Sequence, residues 1–400
     1  MMETARRLLD DIRELAPGIA ARTAEIEAAR RVPLDLVETL KSIGVFRIFV
    51  PRSHGGLELD LPAALEVISA LGKIDGSVGW TAMIGSASAL FAPLLPRESF
   101  DLIYGTGPDT IIAGSTVPVG TAEAVPGGWR VNGRWPFASG CHHADWMFGA
   151  CVMSEAGKPL PGPADADGST GASGPAGASG PPLVKYFMLP ARDWRIEDSW
   201  FVSGLKGTGS DHIAVTDKVV PATYAFDIVN DAPCLPGPLY QSMRQLLPVT
   251  HGAFVVGVAE GAVDDLIRLA QTGRRQTRAV AAMRESEIFQ SELGRVSADI
   301  RAARAFLQVQ IDDLWRHALA GTLKDEALFI QGTQAAIWLA TTCSRAAEAC
   351  FMLGGGSAIY ETSPLQRRLR DLQAAAQHAI AHQRHYVGVG KLLLGNAVGS

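Results

Sequence analysis

The sequence predicts an α+β protein in three consecutive parts: an N-terminal helical domain (1–110), a middle antiparallel, barrel-like β domain (111–230) and a C-terminal helical bundle (231–400). Three observations carry this prediction. The first hundred residues repeat apolar side chains at helical intervals, as in Leu8, Leu9, Ile12, Leu15 and Ile19. From Ile111 the texture changes to short β-type runs bounded by Gly, Pro and Asn, such as TIIAGS, DWMFGACVM, VKYFMLP and HIAVTDKVVP. Beyond Gly237, the stripe Phe289, Leu293, Val296, Ile300, Ala303, Leu307, Ile311 and Leu314 advances by steps of four and three, the spacing of a bundle seam.

Taken in order, Val32-Pro33 opens a second helix through Leu36, Val37 and Leu40. The connection FRIFVPRSHGGLELDLP follows, and its Gly55-Gly56 pair stops a helix. Two further helical runs fill Pro62 to Leu94, including GWTAMIGSASALFAPLLP. In the β domain, Gly127-Gly128 and Asn132-Gly133 read as turns between strands. The stretch 156–182 is almost wholly Gly, Ala, Ser and Pro, too poor in apolar area to offset its ordering entropy. It reads as a flexible surface loop with no catalytic role.

Composition narrows the function. A net charge of -5, with 47% hydrophobic and 19% charged residues, describes a globular chain and argues against a nucleic-acid binder. The five cysteines contain no CxxC pair, which indicates neither a zinc knuckle nor a disulfide framework and points to a reducing cytoplasm. The opening MMETARRLLDDIRE lacks the features of a signal peptide, and the most apolar long stretch, near PVTHGAFVVGVAEGAV, is interrupted by His251 and Glu260, so no membrane span is expected. No GxxxxGK[ST] and no strand-to-helix GxGxxG occurs, so a dinucleotide would be held by another device.

The chemically loaded stretch is LGGGSAIYETSPLQRRLRDLQAAAQHAIAH, with Arg370, Asp371 and His378. Its alanine-rich run from Leu372 predicts a well-formed helix carrying His378. On its own, one imidazole on such a helix reads as a core residue. His378 and His382 have metal-ligand spacing, with His385 close by, but Ala379 stands where a zinc protease needs glutamate and no acid-rich segment offers a third ligand. No metal is expected. Cys141 and His142, neighbours in an extended run, should face apart and make no thiol–imidazole pair.

The LGG turn, the Pro-x-x-Arg segment and the Arg370-Asp371 pair together resemble the acyl-CoA dehydrogenase superfamily, nearly from end to end. The position of the dehydrogenases' catalytic glutamate falls on Ala379, and His378 precedes it. That substitution resembles the branch of flavin-dependent two-component monooxygenases. The resemblance implies an acyl-CoA dehydrogenase-like fold and hydroxylation of a small aromatic or heteroaromatic substrate through a C4a-hydroperoxyflavin. It implies O2 and a reduced flavin, FADH2 or FMNH2, from a separate NAD(P)H-flavin reductase, and a homotetramer. Within NGRWPFASG it places Phe137 beside the flavin ring and Ser139 near N5; within GLKGTGSDH it places Thr208 and Ser210 close to the cofactor. It has Arg274 and Gln290 reach a neighbouring subunit's flavin, although Gln276-Thr277-Arg278 replaces the family's Gln-Phe-Gly. Trp80, Arg370 and Asp371 belong to a substrate rim, and His378 polarises or deprotonates the substrate. WTAMIG, TSPLQRRLRD and AAxxHAIAHQRHY look most like relatives acting on indole compounds such as indole-3-acetate. The alternative is a true acyl-CoA desaturase with a carboxylate from elsewhere as base; Glu361 echoes that base only superficially, since it precedes Arg370-Asp371 in a different element.

Overall fold

The computed structural model describes residues 2–162, 181–275 and 279–396. Helices α1 (Met2–Ala21), α2 (Thr23–Ala29), α3 (Leu34–Ile43), α4 (Leu61–Ile74), α5 (Gly76–Ala87) and α6 (Arg97–Ile103) precede the strands. The starts of α4 and α5 are set locally: Asp60 accepts from Ala63 N and Asp75 from Val78 N, each at 3.0 Å, satisfying amides that a first helical turn leaves open.

Eight strands follow: β1 (Ile112–Val125), β2 (Gly128–Trp135), β3 (Trp146–Glu155), β4 (Lys158–Pro159), β5 (Val184–Pro190), β6 (Arg195–Glu197), β7 (His212–Val220) and β8 (Ala225–Phe226). They form one sheet in the order β6-β7-β2-β1-β3-β5-β8, with β4 paired to β3. The expected antiparallel barrel is corrected in two respects. β1 and β3 run parallel, and β6 and β8 end the sheet as separate edges, so it is mixed and open. Gly127 does turn the β1–β2 hairpin, at φ +90°. Asn132-Gly133 does not turn the chain; it lies inside β2 at a register shift against β7, where a glycine relieves crowding rather than reversing direction. Trp135 explains the crowding: its ring is fully buried, and a Cβ on Gly120, Gly133 or Gly149 would come within 2.1–2.6 Å of it.

Of the insertion 156–182, residues 163–180 lie outside the described residues. Its base is an antiparallel bridge between Pro161 and Pro182, with Gly162 N donating to Pro181 O at 2.8 Å.

The C-terminal part holds α7 (Met243–Gln271), α8 (Glu287–Ala320), α9 (Glu326–Gly354), α10 (Pro364–Ala375) and α11 (Tyr386–Leu393). The α8 seam is as expected: seven of its eight side chains are buried, and Leu293 packs at the margin. α7 is apolar on all sides because α4, α5, α8, α9 and α10 surround it. It and Gly76–Leu94 are long and apolar enough to cross a bilayer, but 83% and 94% of their apolar windows are packed inside the protein.

Candidate active site

Three segments meet where the sheet touches α5 and α10. The loop after β2 (136–142) is clipped to the loop before β7 (204–211) by Ala138 N to Asp211 O, 3.2 Å, and Gly140 N to Thr208 O, 3.0 Å. Thr208 also bridges to Arg31 of the N-terminal part. Asp371 on α10 accepts from Leu205 N at 2.6 Å, and Gly207 N donates to Ser77 Oγ at 3.0 Å. Gly204 must lack a side chain, because its Cβ would lie 2.0 Å from the Arg370 carbonyl.

Trp80 is the junction of this site. Its buried indole donates through Nε1 to Ser139 Oγ at 2.9 Å. The same ring meets His378 edge-on with centroids 5.6 Å apart, His251 at 6.0 Å and Phe254 at 5.1 Å. Ser139 and His378, far apart in sequence, therefore contact one side chain. The expectation of Trp80 at a substrate rim is refined: it lies beneath both.

His378 is not on a helix. α10 ends at Ala375, and His378 caps a short 3-10 turn (Ala379–Ala381), its Nδ1 accepting from Ile380 N at 3.3 Å. His382 caps the next turn in the same way, accepting from Arg384 N at 3.1 Å, so the two imidazoles share no helix face. The alanine run failed to extend the helix because each histidine side chain takes a backbone amide that another helical turn would have used. With Nδ1 accepting, Nε2 carries the proton and is the donor. His378 is exposed at the surface, yet protein packed around its ring desolvates it, and this, then the nearby His251, pushes its pKa down to about 3. The imidazole is neutral at pH 7.

Sequence reasoning missed His251. It is 2% exposed, stacks on His378 with centroids 5.6 Å and planes 26° apart, and bonds through Nε2 to Ala375 O at 3.0 Å. Burial pushes its pKa down to about 4. The available signal was a polar residue within the apolar α7 sequence. Its Nδ1 is buried without a partner among the described residues, as is Oγ1 of Thr81, the residue after Trp80.

Phe137 is 63% exposed, with its backbone in the left-handed region at φ +65°, a conformation that costs about 1 kcal/mol or more. Its ring meets Trp200 edge-on at 6.4 Å. An accessible aromatic face, a hydroxyl at Ser139 and unpaired polar atoms beside Trp80 fit a planar, polar-edged heterocycle such as a flavin. Thr208 and Ser210, expected close to the cofactor, are 2% and 3% exposed and hydrogen-bonded in line with Ser139.

Arg370 and Asp371, expected at a substrate rim, are both bonded to protein groups. Asp371 is 1% exposed; burial and the neighbouring Asp75 raise its pKa to about 7. Arg370 bonds Gln366 within α10 and ties that helix to Ser203 O and Glu27, beside the 204–211 loop. Arg274 and Gln290 lie around the α7–α8 connection; Gln290 is exposed and donates to Arg284 O at 2.8 Å. Gln276–Arg278 lie outside the described residues. Glu361 is exposed in the turn before α10.

Cys141 and His142 are in a 3-10 turn, not an extended run, and do not face apart as expected, although each has another hydrogen-bond partner. The thiol faces Gly209 O at 3.3 Å and burial raises its pKa to about 12, while His142 bonds Asp211 at 2.7 Å. Ligand atoms of Cys141, His142 and Asp211 lie within 4.8 Å of one another. Asp211 is already committed to the Ser199 and Trp200 amides, at 2.7 and 2.8 Å.

The N-terminal domain of acyl-CoA dehydrogenases matches residues 2–97, and their C-terminal domain matches 249–383. The chain is 33% identical to an indole-3-acetate monooxygenase of Pseudomonas putida, over 97% of this chain and 92% of that protein. It is 28% identical to the oxygenase component of an FADH(2)-dependent resorcinol hydroxylase of a Rhizobium species, covering 97% and 94%. The crystal structure of the HsaA monooxygenase from M. tuberculosis superposes with a TM-score of 0.87 at 26% identity, over 99% of both chains. These likenesses show that the chain belongs to the acyl-CoA dehydrogenase superfamily, within its branch of flavin-dependent monooxygenases.

Proposed function

We propose that the protein is the oxygenase half of a two-component system, hydroxylating a small aromatic or heteroaromatic substrate of indole or indole-3-acetate type. The observation that carries this reading is the convergence of Ser139 and a neutral His378 on Trp80, with no carboxylate among these contacts. Reduced flavin, FADH2 or FMNH2, supplied by a separate NAD(P)H-dependent reductase, activates O2 and furnishes the transferred oxygen atom. Phe137 and Trp200 offer it an aromatic wall, and Ser139 an oxygen toward N5. His378 donates from Nε2 to the substrate's heteroatom. With its one lone pair turned to Ile380 N and its pKa near 3, this imidazole acts toward the substrate as a hydrogen-bond donor that polarises it rather than as a base. Burial of Trp80, Phe254 and His251 excludes water from one side of the site. A cytoplasmic homotetramer, with Arg274 and Gln290 directed to a neighbour's flavin, completes the proposal.

The test is an oxygen-uptake screen of indoles and phenols with reduced FMN and FAD. The protein should purify nearly colourless, consume oxygen only with supplied reduced flavin and yield a hydroxylated ring. Purification as a yellow protein that acyl-CoA bleaches would instead establish the desaturase.

A further inference from the structure

Behind Ser139 runs a line of buried hydroxyls. Ser139 Oγ is 2.7 Å from Ser210 Oγ, which is 2.7 Å from Thr208 Oγ1, which donates to the Leu205 carbonyl at 2.9 Å. The three side chains belong to residues 6%, 3% and 2% exposed. Each hydroxyl has one proton to give. When Thr208 gives its proton to Leu205 O, Ser210 must donate to Thr208 and Ser139 to Ser210. Trp80 Nε1–H occupies one Ser139 lone pair. For any further partner, Ser139 is left with one lone pair and no proton.

Flavin N5 carries a hydrogen in the reduced form and a bare lone pair in the oxidised form. We infer that the Ser139–Ser210–Thr208 chain, terminated at the Leu205 carbonyl, makes this site discriminate between flavin redox states. Thr208, two hydroxyls removed from the cofactor, sets the polarity of the bond at N5. This rests on the reading above that Ser139 faces N5.

The opposite polarity is accessible, since Leu205 O also accepts from Thr208 N at 3.2 Å and Trp200 Nε1 at 3.0 Å and does not depend on the threonine alone. Selection is therefore graded. It is worth about one hydrogen bond, roughly three- to tenfold in the ratio of dissociation constants. Thr208→Val removes the terminal acceptor. Ser210 then has only Ser139 to donate to, and Ser139, accepting from Ser210 and Trp80, turns its own proton toward N5. Ser210→Ala cuts the chain one step nearer and also frees the Ser139 proton.

The experiment is an anaerobic equilibrium titration with reduced and with oxidised FMN and FAD, using wild type, Thr208→Val, Thr208→Ser, Ser210→Ala and Ser139→Ala. The readout is the reduced-to-oxidised affinity ratio. Thr208→Val and Ser210→Ala should each shift it at least about threefold toward oxidised flavin, and Thr208→Ser should keep the wild-type ratio. If Ser139→Ala changes the ratio while Thr208→Val and Ser210→Ala leave it alone, the chain is inert and the inference falls, with the Ser139 contact intact. If Ser139→Ala changes neither affinity, the hydroxyl does not face N5, and both this inference and the flavin-contact reading fall. Two independent cuts in the chain keep the test decisive if either variant fails to fold.

Discussion

His251 Nε2 and the backbone N–H of His378 donate to one acceptor, the Ala375 carbonyl, at 3.0 and 3.1 Å. A side chain of α7 thereby fixes the place where α10 stops and the His378 turn begins. His251→Phe keeps the ring stack and removes that donor. It should lower hydroxylation about tenfold while leaving flavin affinity within about twofold, and His251→Gln, whose amide can donate, should recover most of the loss. Single-turnover product yield and flavin titration measure the two effects; equal losses in both would assign His251 to general packing.

His378→Ala should cost at least about a hundredfold in product formation, the usual scale for a positioned hydrogen-bond donor. Oxygen consumption should continue, with hydrogen peroxide as its product. Peroxide assay and product chromatography on the same sample check this, and retained hydroxylation would remove His378 from the chemistry.

Ser139→Ala removes the oxygen nearest the expected N5 position. Peroxide released per reduced flavin consumed should rise about severalfold, a penalty on the scale of one hydrogen bond. A coupling ratio equal to wild type would place that oxygen elsewhere.

Acid should destabilise the protein through His251. Its ordinary pKa near 6.5 falls to about 4 on folding, so between those values the unfolded chain binds more protons. The stability associated with its neutral form is complete above pH 6.5 and drains as pH falls toward 4. The loss between pH 6.5 and 5 is about 2 kcal/mol. Urea melts should show His251→Gln less sensitive than wild type over that interval, and parallel curves would count against it.

Asp371 works in the opposite sense. Its pKa rises from 3.8 to about 7 on folding, so the native state holds the proton between those values and its contribution is lost as pH rises through 7. Asp371→Asn keeps an acceptor for Leu205 N and cannot ionise. Relative to wild type, it should gain about 2–3 kcal/mol between pH 5 and 7, measured by the same melts.

Local pattern revealed the helical parts well: the α8 stripe announced its own burial, and the two runs within Pro62 to Leu94 are the helices α4 and α5. The sheet was less legible, because period-two alternation is identical in parallel and antiparallel strands and cannot reveal that β1 lies beside β3. Asn132-Gly133 misled because a turn and a bulge ask for the same residue types. For the site, the motif resemblance named Ser139, Trp80 and His378, and the structure joins these three. It could not say that Thr208 and Ser210 stand behind Ser139, or that Asp371 faces inward, since those placements depend on which loops the tertiary fold clips together.

α7 is enclosed by its neighbours along most of its length, and His251 is part of it. Amide hydrogens on that helix should exchange with deuterium only when the whole bundle opens, and those of Ala138 and Gly140, buried and bonded to Asp211 O and Thr208 O, should also be slow. The exposed turn that carries His378 is the looser wall, so a bulky ligand would be accommodated by that turn yielding.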